Sequence, residues 1–333
     1  MKFLSYAGRL QLVQSILTSI QAFWAQIFLL PKKVLQQVET ICKRFLLNDD
    51  AQTKGKALVA WDKLCWPKVA GGMNITDVYV WNKVAILKYM WDLSKKKDKL
   101  WIVWVHTYYI KDRRPWEVQA KQASWVVRKI LQAGHWISEA GLHVTEVMEE
   151  ETFTIKDIYK ILRGELSKVP WRRMICNNQG SPKWTFILYL AIQRILYTKD
   201  RLDKWGINTD SICSMCKAEP EIHQHLFFAC SVANVIWQRL LRWLSITKSS
   251  AGWNEEIEWA TMHANRKIVQ DEVYRMTLVA ALYYIWQDNN YRIFQQRERS
   301  IEEIIKQIIQ EIHCRSCMNP RLASAMHKLK FYP

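Results

Sequence analysis

Three cysteines and one histidine within 18 residues have the types and the spacing of metal ligands. They are Cys213, Cys216, His225 and Cys230, and they read Cys-x2-Cys-x8-His-x4-Cys. Zinc prefers thiolate and imidazole ligands in a tetrahedron, with Zn–S about 2.3 Å and Zn–N about 2.0 Å. The first pair shares one turn, and the His-x4-Cys spacing returns the second pair from about one helical turn. Because protein fills all four positions, the pattern predicts a structural zinc site and not a catalytic one.

The histidine ligand has two candidates. His223 would give Cys-x2-Cys-x6-His-x6-Cys, whereas His225 gives the spacing above. We favour His225 because it leads directly into the apolar run Leu226-Phe227-Phe228, which can anchor the ligand against a core. A formed site contributes folding free energy on the order of 10 kcal/mol. Without metal, residues 205–245 are therefore expected to lose their packing.

The other five cysteines are weaker signals. Cys314 and Cys317 form a second Cys-x2-Cys after His313, but no second ligand pair is near in the sequence. A chance pair at a helix end is therefore favoured over a metal or redox site. The remaining three are isolated and are interpreted as small core residues: Cys42, Cys65 and Cys176.

Composition favours long helices. Half of the 333 residues are apolar, while 10 glycines and 8 prolines are few for this length. That balance disfavours a turn-rich all-β protein, so the predicted fold class is mainly α. The 18 tryptophans are expected mainly at helix–helix contacts, and a minority could be stacking platforms for bases.

The apolar stretches of the sequence are too short to predict a transmembrane helix or a signal peptide. The longest, residues 22–30, contains Gln26 and is too short to span a bilayer. The N-terminal residues lack an apolar core of signal-peptide length, and Arg9 interrupts them early. We therefore expect a protein that is not secreted, with an intracellular location, nuclear or cytoplasmic, and free thiols.

Positive charge is concentrated in the first part of the chain. The net charge is +17, of which residues 1–138 carry +13 from 22 Lys/Arg and 9 Asp/Glu. Such an asymmetry indicates that this part faces a polyanion, although a merely solvated basic surface would look the same. The candidate nucleic-acid contacts, chosen by charge, are Arg9, Lys32, Lys33, Lys43, Arg44, Lys111, Arg113 and Arg114.

Helical periodicity recurs along the chain. Helices are predicted over residues 3–29, after Pro31, over 78–93, 100–109, 120–133 and 154–162, from Pro182, and over 232–244 and 268–294. A last helix begins at Ser300, with Glu303 at the capping position and six isoleucines on a face that we assign to the core. The glutamate-rich stretch 134–151 lacks strong periodicity and is predicted to be a domain boundary.

The expected domains follow from that boundary. We predict a basic helical region at 1–138, a small helical zinc module at 152–246 and a C-terminal helical region at 255–333.

Several segments resemble the reverse transcriptases of plant non-LTR retrotransposons, the long interspersed element type. The runs similar to the part downstream of the polymerase palm are Leu4 to Leu17, Phe23-Trp24-Ala25, Leu30-Pro31-Lys32, Trp61 to Lys68, Gly71-Gly72, Ser124-Trp125 and Arg128 to Leu131. The resemblance implies a thumb-like or linker-like helical region at the start of the chain.

The stretch from Phe153 to about Leu244 resembles the reverse-transcriptase zinc-binding domain of the same proteins. The four proposed ligands, the run after His225 and Val235-Ile236-Trp237 carry this likeness, and Tyr291-Arg292-Ile293-Phe294 is similar to the family's tail. The resemblance implies RNA or an RNA–DNA hybrid as a partner, other retroelement proteins as further partners, and structural Zn²⁺.

The chain also departs from that family. It lacks the Tyr-x-Asp-Asp motif that holds two metal ions, and the nearest run, Leu47-Asn48-Asp49-Asp50, ends a helix and is interpreted as a polar turn. A Gly-rich phosphate loop, an endonuclease module and a ribonuclease H acidic set are not recognisable. We therefore expect no enzyme activity.

The leading hypothesis is a non-catalytic nucleic-acid-binding remnant of a retrotransposon reverse transcriptase. A helical protein-interaction scaffold, using the tryptophan-rich surfaces and the isoleucine helix, is the alternative. An unidentified hydrolase or transferase has little support, because the other histidines are scattered. An unselected reading frame is a fourth reading, and the oligomeric state is not predicted.

Overall fold

The described part of the chain is helical. The computed structural model describes residues 6–25, 28–47, 59–176, 178–207, 210–249, 252–264, 266–326 and 329. These residues form helices and short helical turns, with one isolated β-bridge between Ile212 and Pro220 and no strand among them. The mainly α fold class is confirmed. No helix in this part of the chain is both long and apolar enough to cross a bilayer.

The first ten α-helices of the described residues run from residue 6 to residue 163, and the last of them lies in the zinc module. They are α1 Tyr6–Leu12, α2 Thr18–Ala25, α3 Lys32–Leu47, α4 Trp61–Cys65, α5 Val78–Ser94, α6 Leu100–Val105, α7 Trp125–Gln132, α8 His135–Glu139, α9 Val144–Glu149 and α10 Ile155–Arg163. Short turns of π-helix continue two of them, at Val13–Leu17 and His106–Ile110. Two 3-10 turns lie at Lys68–Ala70 and Pro115–Glu117.

The zinc module and the C-terminal region hold the remaining described helices. They are α11 Arg172–Cys176, α12 Pro182–Ile192, α13 Lys199–Lys204, α14 Ser231–Trp243, α15 Trp253–His263, α16 Val269–Gln295, α17 Ile301–Ser316 and α18 Pro320–Met326. A third π turn, His225–Ala229, leads into α14.

Two apolar cores hold these helices together. One is formed by all the helices from α5 through α10, with Leu87, Met90 and Ile130 among its buried members. The other joins α1, α3 and α4 to the zinc module and to α15–α18. These cores cross the predicted limits at residues 138 and 152, so the three domains remain a prediction about independent folding units.

Most predicted helices are present, with shifted ends. The helix predicted at 120–133 begins only at Trp125, because Ser124 accepts a hydrogen bond from the Val127 N–H and caps it. The stretch 134–151, which lacks strong periodicity and is the predicted domain boundary, contains α8 and α9. Thr154 and Asp157 have the spacing of a capping box at the start of α10. That prediction is wrong, since the Asp157 carboxylate binds Lys160 Nζ at 2.9 Å and Thr154 makes no side-chain cap.

The buried face of α3 agrees with the predicted one only in part. Periodicity after Pro31 predicts that Val34, Val38, Ile41, Cys42 and Phe45 face inward. Cys42 is buried and Val38 and Phe45 pack against the core, but Ile41 is 56% exposed. The residues that are buried, Leu35, Cys42 and Leu46, follow a stripe rotated around the helix. Contacts with α1 and the π turn after it select that stripe, because apolar side chains surround much of α3 and periodicity alone cannot choose between them.

The isoleucine helix α17 has its predicted role. Ser300 and Glu303 form a complete capping box, with Ser300 N–H donating to Glu303 Oε2 at 2.8 Å. Ile304, Ile308 and Ile312 are buried and pack against α16 and its neighbours. The segment Asn48–Asp50, interpreted as a polar turn, lies outside the described residues.

Candidate metal centre

The first two ligands stand on a tight loop at 211–221. Cys213 N–H donates to Glu219 O at 2.8 Å and closes the loop at its base. Lys217 N–H donates to Cys213 O at 2.9 Å, and Lys217 has a left-handed φ of 57° that turns the chain just after Cys216. The Cys-x2-Cys run is therefore fixed by its own backbone, as its spacing predicted.

The other two ligands flank a π turn. Cys230 N–H donates to His225 O at 2.6 Å, which is the i to i+5 bond of π-helix. The sequence predicted about one ordinary helical turn. A π turn holds one residue more than an α turn, and this extra residue brings side chains five apart onto neighbouring turns. Single π turns of this kind occur often at functional sites.

The four side chains converge on one point. The ligand atoms of Cys213, Cys216, His225 and Cys230 all lie within 4.8 Å of one another. Cys216 Sγ is 3.3 Å from His225 Nε2, close to the roughly 3.5 Å edge of a tetrahedron with ordinary zinc bond lengths. Cys213, His225 and Cys230 are buried and Cys216 is half-buried. Three thiols and one imidazole in this arrangement fit a zinc ion with no open position for substrate.

Hydrogen bonds shift the pKa values of two of the ligand thiols in opposite directions. The contact between Cys213 and Cys230 raises the pKa of the Cys213 thiol, with burial as the next cause, and it lowers the pKa of Cys230. Backbone amides of Val232 and Ala233, in the first turn of α14, also donate to the Cys230 sulfur and favour its thiolate. Metal binding must displace the proton that this pair retains, so zinc affinity is expected to fall in acid.

A carboxylate backs the histidine ligand. His225 Nδ1 lies 3.1 Å from Glu219 Oε2, on the ring edge opposite the sulfurs. Nδ1 makes no aligned hydrogen bond with the described residues, so the contact is mainly electrostatic. A partner of this kind fixes the tautomer in which Nε2 faces the metal and makes the imidazole a stronger ligand. Sequence reasoning missed Glu219, because the contact depends on how the loop closes.

His223, the rival ligand, points into an aromatic cluster instead. Its ring centroid is 4.4 Å from that of Trp253 and 5.3 Å from that of Phe227. Burial, with Arg194 as the next cause, lowers the pKa of His223 to about 4 and keeps the ring neutral. Leu226, Phe227 and Phe228 are fully buried, so the apolar run does anchor His225 as expected.

Helix α16 clamps the Cys-x2-Cys loop from the far end of the chain. Buried Asp288 accepts from Arg292 Nε at 2.8 Å and from Arg299 Nε at 3.0 Å. Arg292 Nη1 then reaches the carbonyls of Ser214 and Met215, each at 3.5 Å. Sequence reasoning missed this clamp. The Asp288–Arg292 spacing of i, i+4 was the available signal, but the contact with the loop is long-range.

The remaining cysteines lie away from the cluster. Cys314 and Cys317 are exposed and unpaired, and they join no metal-holding group among the described residues. Cys42 and Cys65 are buried, as expected of small core residues, and burial raises the pKa of Cys42 to about 11. Cys176 is only half-buried.

Four of the proposed nucleic-acid residues lie on α3. Lys32, Lys33 and Arg44 are exposed, and the first two occupy the opening turn of the helix. Lys43 is partly buried, pairs with Glu39 and lies 5.9 Å from the Trp61 ring, so it has a structural role. The residue on α1, Arg9, is partly buried and already interacts within the chain.

The other three lie on the loop after the His106–Ile110 turn. Lys111, Arg113 and Arg114 are all exposed. Arg114 is 3.9 Å from Glu149 and lies over the Trp116 ring at 6.0 Å. The candidates therefore form two groups, which pack with different apolar cores.

Comparison with known proteins supports the assignment of the cluster. Residues 153–237 match the family described as zinc-binding in reverse transcriptase. A protein of Arabidopsis thaliana named "Putative ribonuclease H protein" is 32% identical over 125 residues, which are 37% of this chain and 20% of that protein. The chain thus spans a fifth of the curated relative it matches. The family match confirms the zinc-domain resemblance, and with the Cys₃His cluster it identifies the metal as Zn²⁺.

Ligand substitutions provide the first test of this centre. Cys230→Ser and His225→Ala are expected to reduce bound zinc from about one ion per chain to a small fraction, since each leaves three ligands. The matched controls Cys317→Ser and His223→Phe should keep the full zinc content. Elemental analysis of the folded fraction, isolated by gel filtration, measures the ratio. Zinc retained by His225→Ala but lost from His223→Phe would reverse the ligand assignment.

The Glu219 contact provides a second test. Glu219→Gln removes the charge opposite His225 Nδ1 and is expected to weaken zinc binding by about 10- to 100-fold. Glu298→Gln is the control, because Glu298 binds Lys217 of the same loop and does not touch the ligand. Competition with a chromophoric chelator gives both affinities. Equal affinities for the two variants would contradict the role of Glu219.

Proposed function

We propose that this chain, which carries a zinc-binding domain of reverse-transcriptase type, is a nucleic-acid-binding part of a plant non-LTR retroelement protein. It would hold RNA or an RNA–DNA hybrid through the basic helices of its first 138 residues, with the zinc domain as a rigid attachment point. The name of the Arabidopsis relative refers to an activity on RNA–DNA hybrids, which supports the choice of hybrid as a probe. Other retroelement proteins would be further partners.

One observation carries the proposal: exposed aromatic side chains at and just after the end of α2 are followed by exposed lysines at the start of α3 (the α2–α3 surface). Phe23, Trp24 and Phe28 are 59%, 47% and 57% exposed. The rings of Trp24 and Phe28 stack at 5.8 Å. Lys32 and Lys33 follow Phe28 by four and five residues. Aromatic platforms beside cations are the elements with which proteins bind single-stranded nucleic acid.

Two lysines lie in the first turn of α3, where positive charge destabilises a helix. A helix N-terminus carries partial positive charge, so lysines in the first turn are unfavourable by a few tenths of a kcal/mol. Lys32 and Lys33 occupy that turn, which has no acidic residue. Among the ion pairs of the described residues, neither lysine has a carboxylate partner. A phosphate backbone would supply the missing negative charge.

We further propose that the chain contributes no reaction centre of its own. Among the described residues, the group of His, Cys, Asp and Glu side chains able to hold a metal is the closed zinc cluster. Phosphoryl chemistry with two metals needs carboxylates that converge on the ions.

The scaffold alternative is weakened by the position of α17. That hypothesis used the isoleucine helix as a docking surface, but its isoleucines at 304, 305, 308, 309 and 312 are buried. Among the described residues, exposed tryptophans that remain available to a protein partner include Trp104 on α6, near exposed Tyr108, and Trp125 on α7.

A salt titration with matched variants tests the proposal. The parent should bind RNA or hybrid with an affinity that falls steeply with salt, because each phosphate contact adds about 0.7 to 0.9 to the slope of log affinity against log salt. Lys32→Gln with Lys33→Gln and Arg44→Gln should reduce affinity roughly tenfold and the slope by about two. Fluorescence anisotropy at several salt concentrations measures both.

The control removes the same charge elsewhere. Lys156→Gln with Lys160→Gln and Lys306→Gln changes three exposed lysines on α10 and α17 and should leave affinity within about twofold. An affinity that does not change with salt, or equal losses in the two triple variants, would overturn the proposal.

A further inference from the structure

We propose that a cleft on the zinc domain binds one phosphate and one unstacked base of a single-stranded nucleic acid. The cleft lies between α13 and the segment that leads into His225. It is separate from the α2–α3 surface and belongs to the part of the chain that is nearly neutral overall. This inference rests on the proposed function and adds a second, more specific site.

The cleft has the size and the charge for a nucleotide. Its volume is about 530 Å³, within the range of small-ligand pockets. Arg194, Arg201 and Lys204 line it, against a single lining carboxylate, Asp200. That carboxylate is already engaged, since it accepts from the Thr198 hydroxyl at 2.6 Å and lies 3.5 Å from Lys204 Nζ.

The two arginines are available for an anion. Arg194 Nη2 donates to the neutral Asn254 amide oxygen at 2.8 Å, and Arg201 donates to the Arg194 carbonyl. Within the described residues, no carboxylate lies within ion-pair distance of either guanidinium. Each retains donors in the planar fork that matches phosphate oxygens. A phosphate in the cleft would neutralise an excess positive charge that the fold itself leaves uncompensated.

An aromatic wall stands beside the cations. Arg201 Cζ lies 5.1 Å from the centre of the Trp205 ring, and Tyr197 contacts the same indole edge-on at 5.3 Å. Tyr197 is 43% exposed and Trp205 is partly buried, so part of this wall is accessible. Bases splayed from a single strand stack on such rings and on arginine planes. A base-paired duplex does not offer an unstacked base.

The zinc loop fixes the geometry of the cleft. Lys199 is only 8% exposed, and its Nζ donates to Ile212 O, next to Cys213, at 2.6 Å. Glu221 is buried and accepts from Lys199 N–H at 3.3 Å. These bonds tie the start of α13 to the loop, while the opposite wall, Ile222 to Gln224, ends directly at His225. The cleft therefore depends on the same backbone that holds the metal.

Charge and ring substitutions in the zinc-loaded full chain test the inference. Arg201→Gln with Lys204→Gln should weaken binding of a 12-nucleotide single-stranded RNA about tenfold and reduce the salt slope by about one. Trp205→Ala should weaken it by a similar factor, and Trp205→Phe should restore most of the loss. DNA of the same sequence and a 12-base-pair duplex complete the set, and the duplex should be insensitive to Trp205.

Matched controls and zinc content separate this site from the α3 surface. Arg239→Gln with Arg242→Gln removes two charges from α14, in the same domain and outside the cleft, and should leave affinity within about twofold. Each variant must retain about one zinc per chain. If RNA binding falls only in the Lys32/Lys33/Arg44 variant, the cleft does not bind RNA and the proposed function stands. If the parent binds neither RNA nor DNA, or if an acidic peptide competes equally, the cleft is likewise wrong.

Discussion

The meeting of three sulfurs and one imidazole nitrogen around a single ion is the constraint on which the rest of the zinc domain depends. Cys213 and Cys230 are fully buried and share a hydrogen bond, which together with burial raises the pKa of Cys213, so without metal the pair retains a proton. A cation with four protein ligands replaces that proton and links two segments that have little regular structure of their own. Folding of this region and metal binding are therefore one equilibrium.

Neighbouring elements convert that local link into a rigid domain. Phe228 packs against Trp237 and Trp253, and these contacts hold the turn that contains His225 against the core. On the other side, Arg292 connects the loop carbonyls to Asp288 on α16. This carboxylate with two guanidinium partners is costly to break, because removal of Asp288 takes the shared counter-charge from Arg292 and Arg299 in a largely buried site. The C-terminal helix α16 therefore supports the metal centre through Arg292, although it supplies no ligand.

The sequence was most informative where the signal is local. Ligand spacing identified the cluster, and the apolar run after His225 correctly decided between two histidines. The Ser300–Glu303 box and the isoleucine pattern defined α17, because capping and one-sided burial are properties of a few neighbouring residues. The buried stripe of α3 was predicted only in part, because contacts with α1 select among several apolar faces.

Long-range contacts were beyond sequence reasoning for a similar reason. Arg292 touches a loop nearly 80 residues earlier, and the cleft joins Arg194 to Gln224 only after the chain has closed around the ligands. The charge count found the basic N-terminal part of the chain, but it gave no hint of a compact cationic site in a region whose net charge is small. Local charge density, and not the total, determines where an anion binds.

X-ray absorption at the zinc edge, on the purified full chain, tests the central claim most directly. We expect one zinc per chain, with three sulfur neighbours at about 2.3 Å and one nitrogen neighbour at about 2.0 Å. Four sulfur neighbours, a shell containing oxygen from water, or a folded chain that binds no zinc would contradict it.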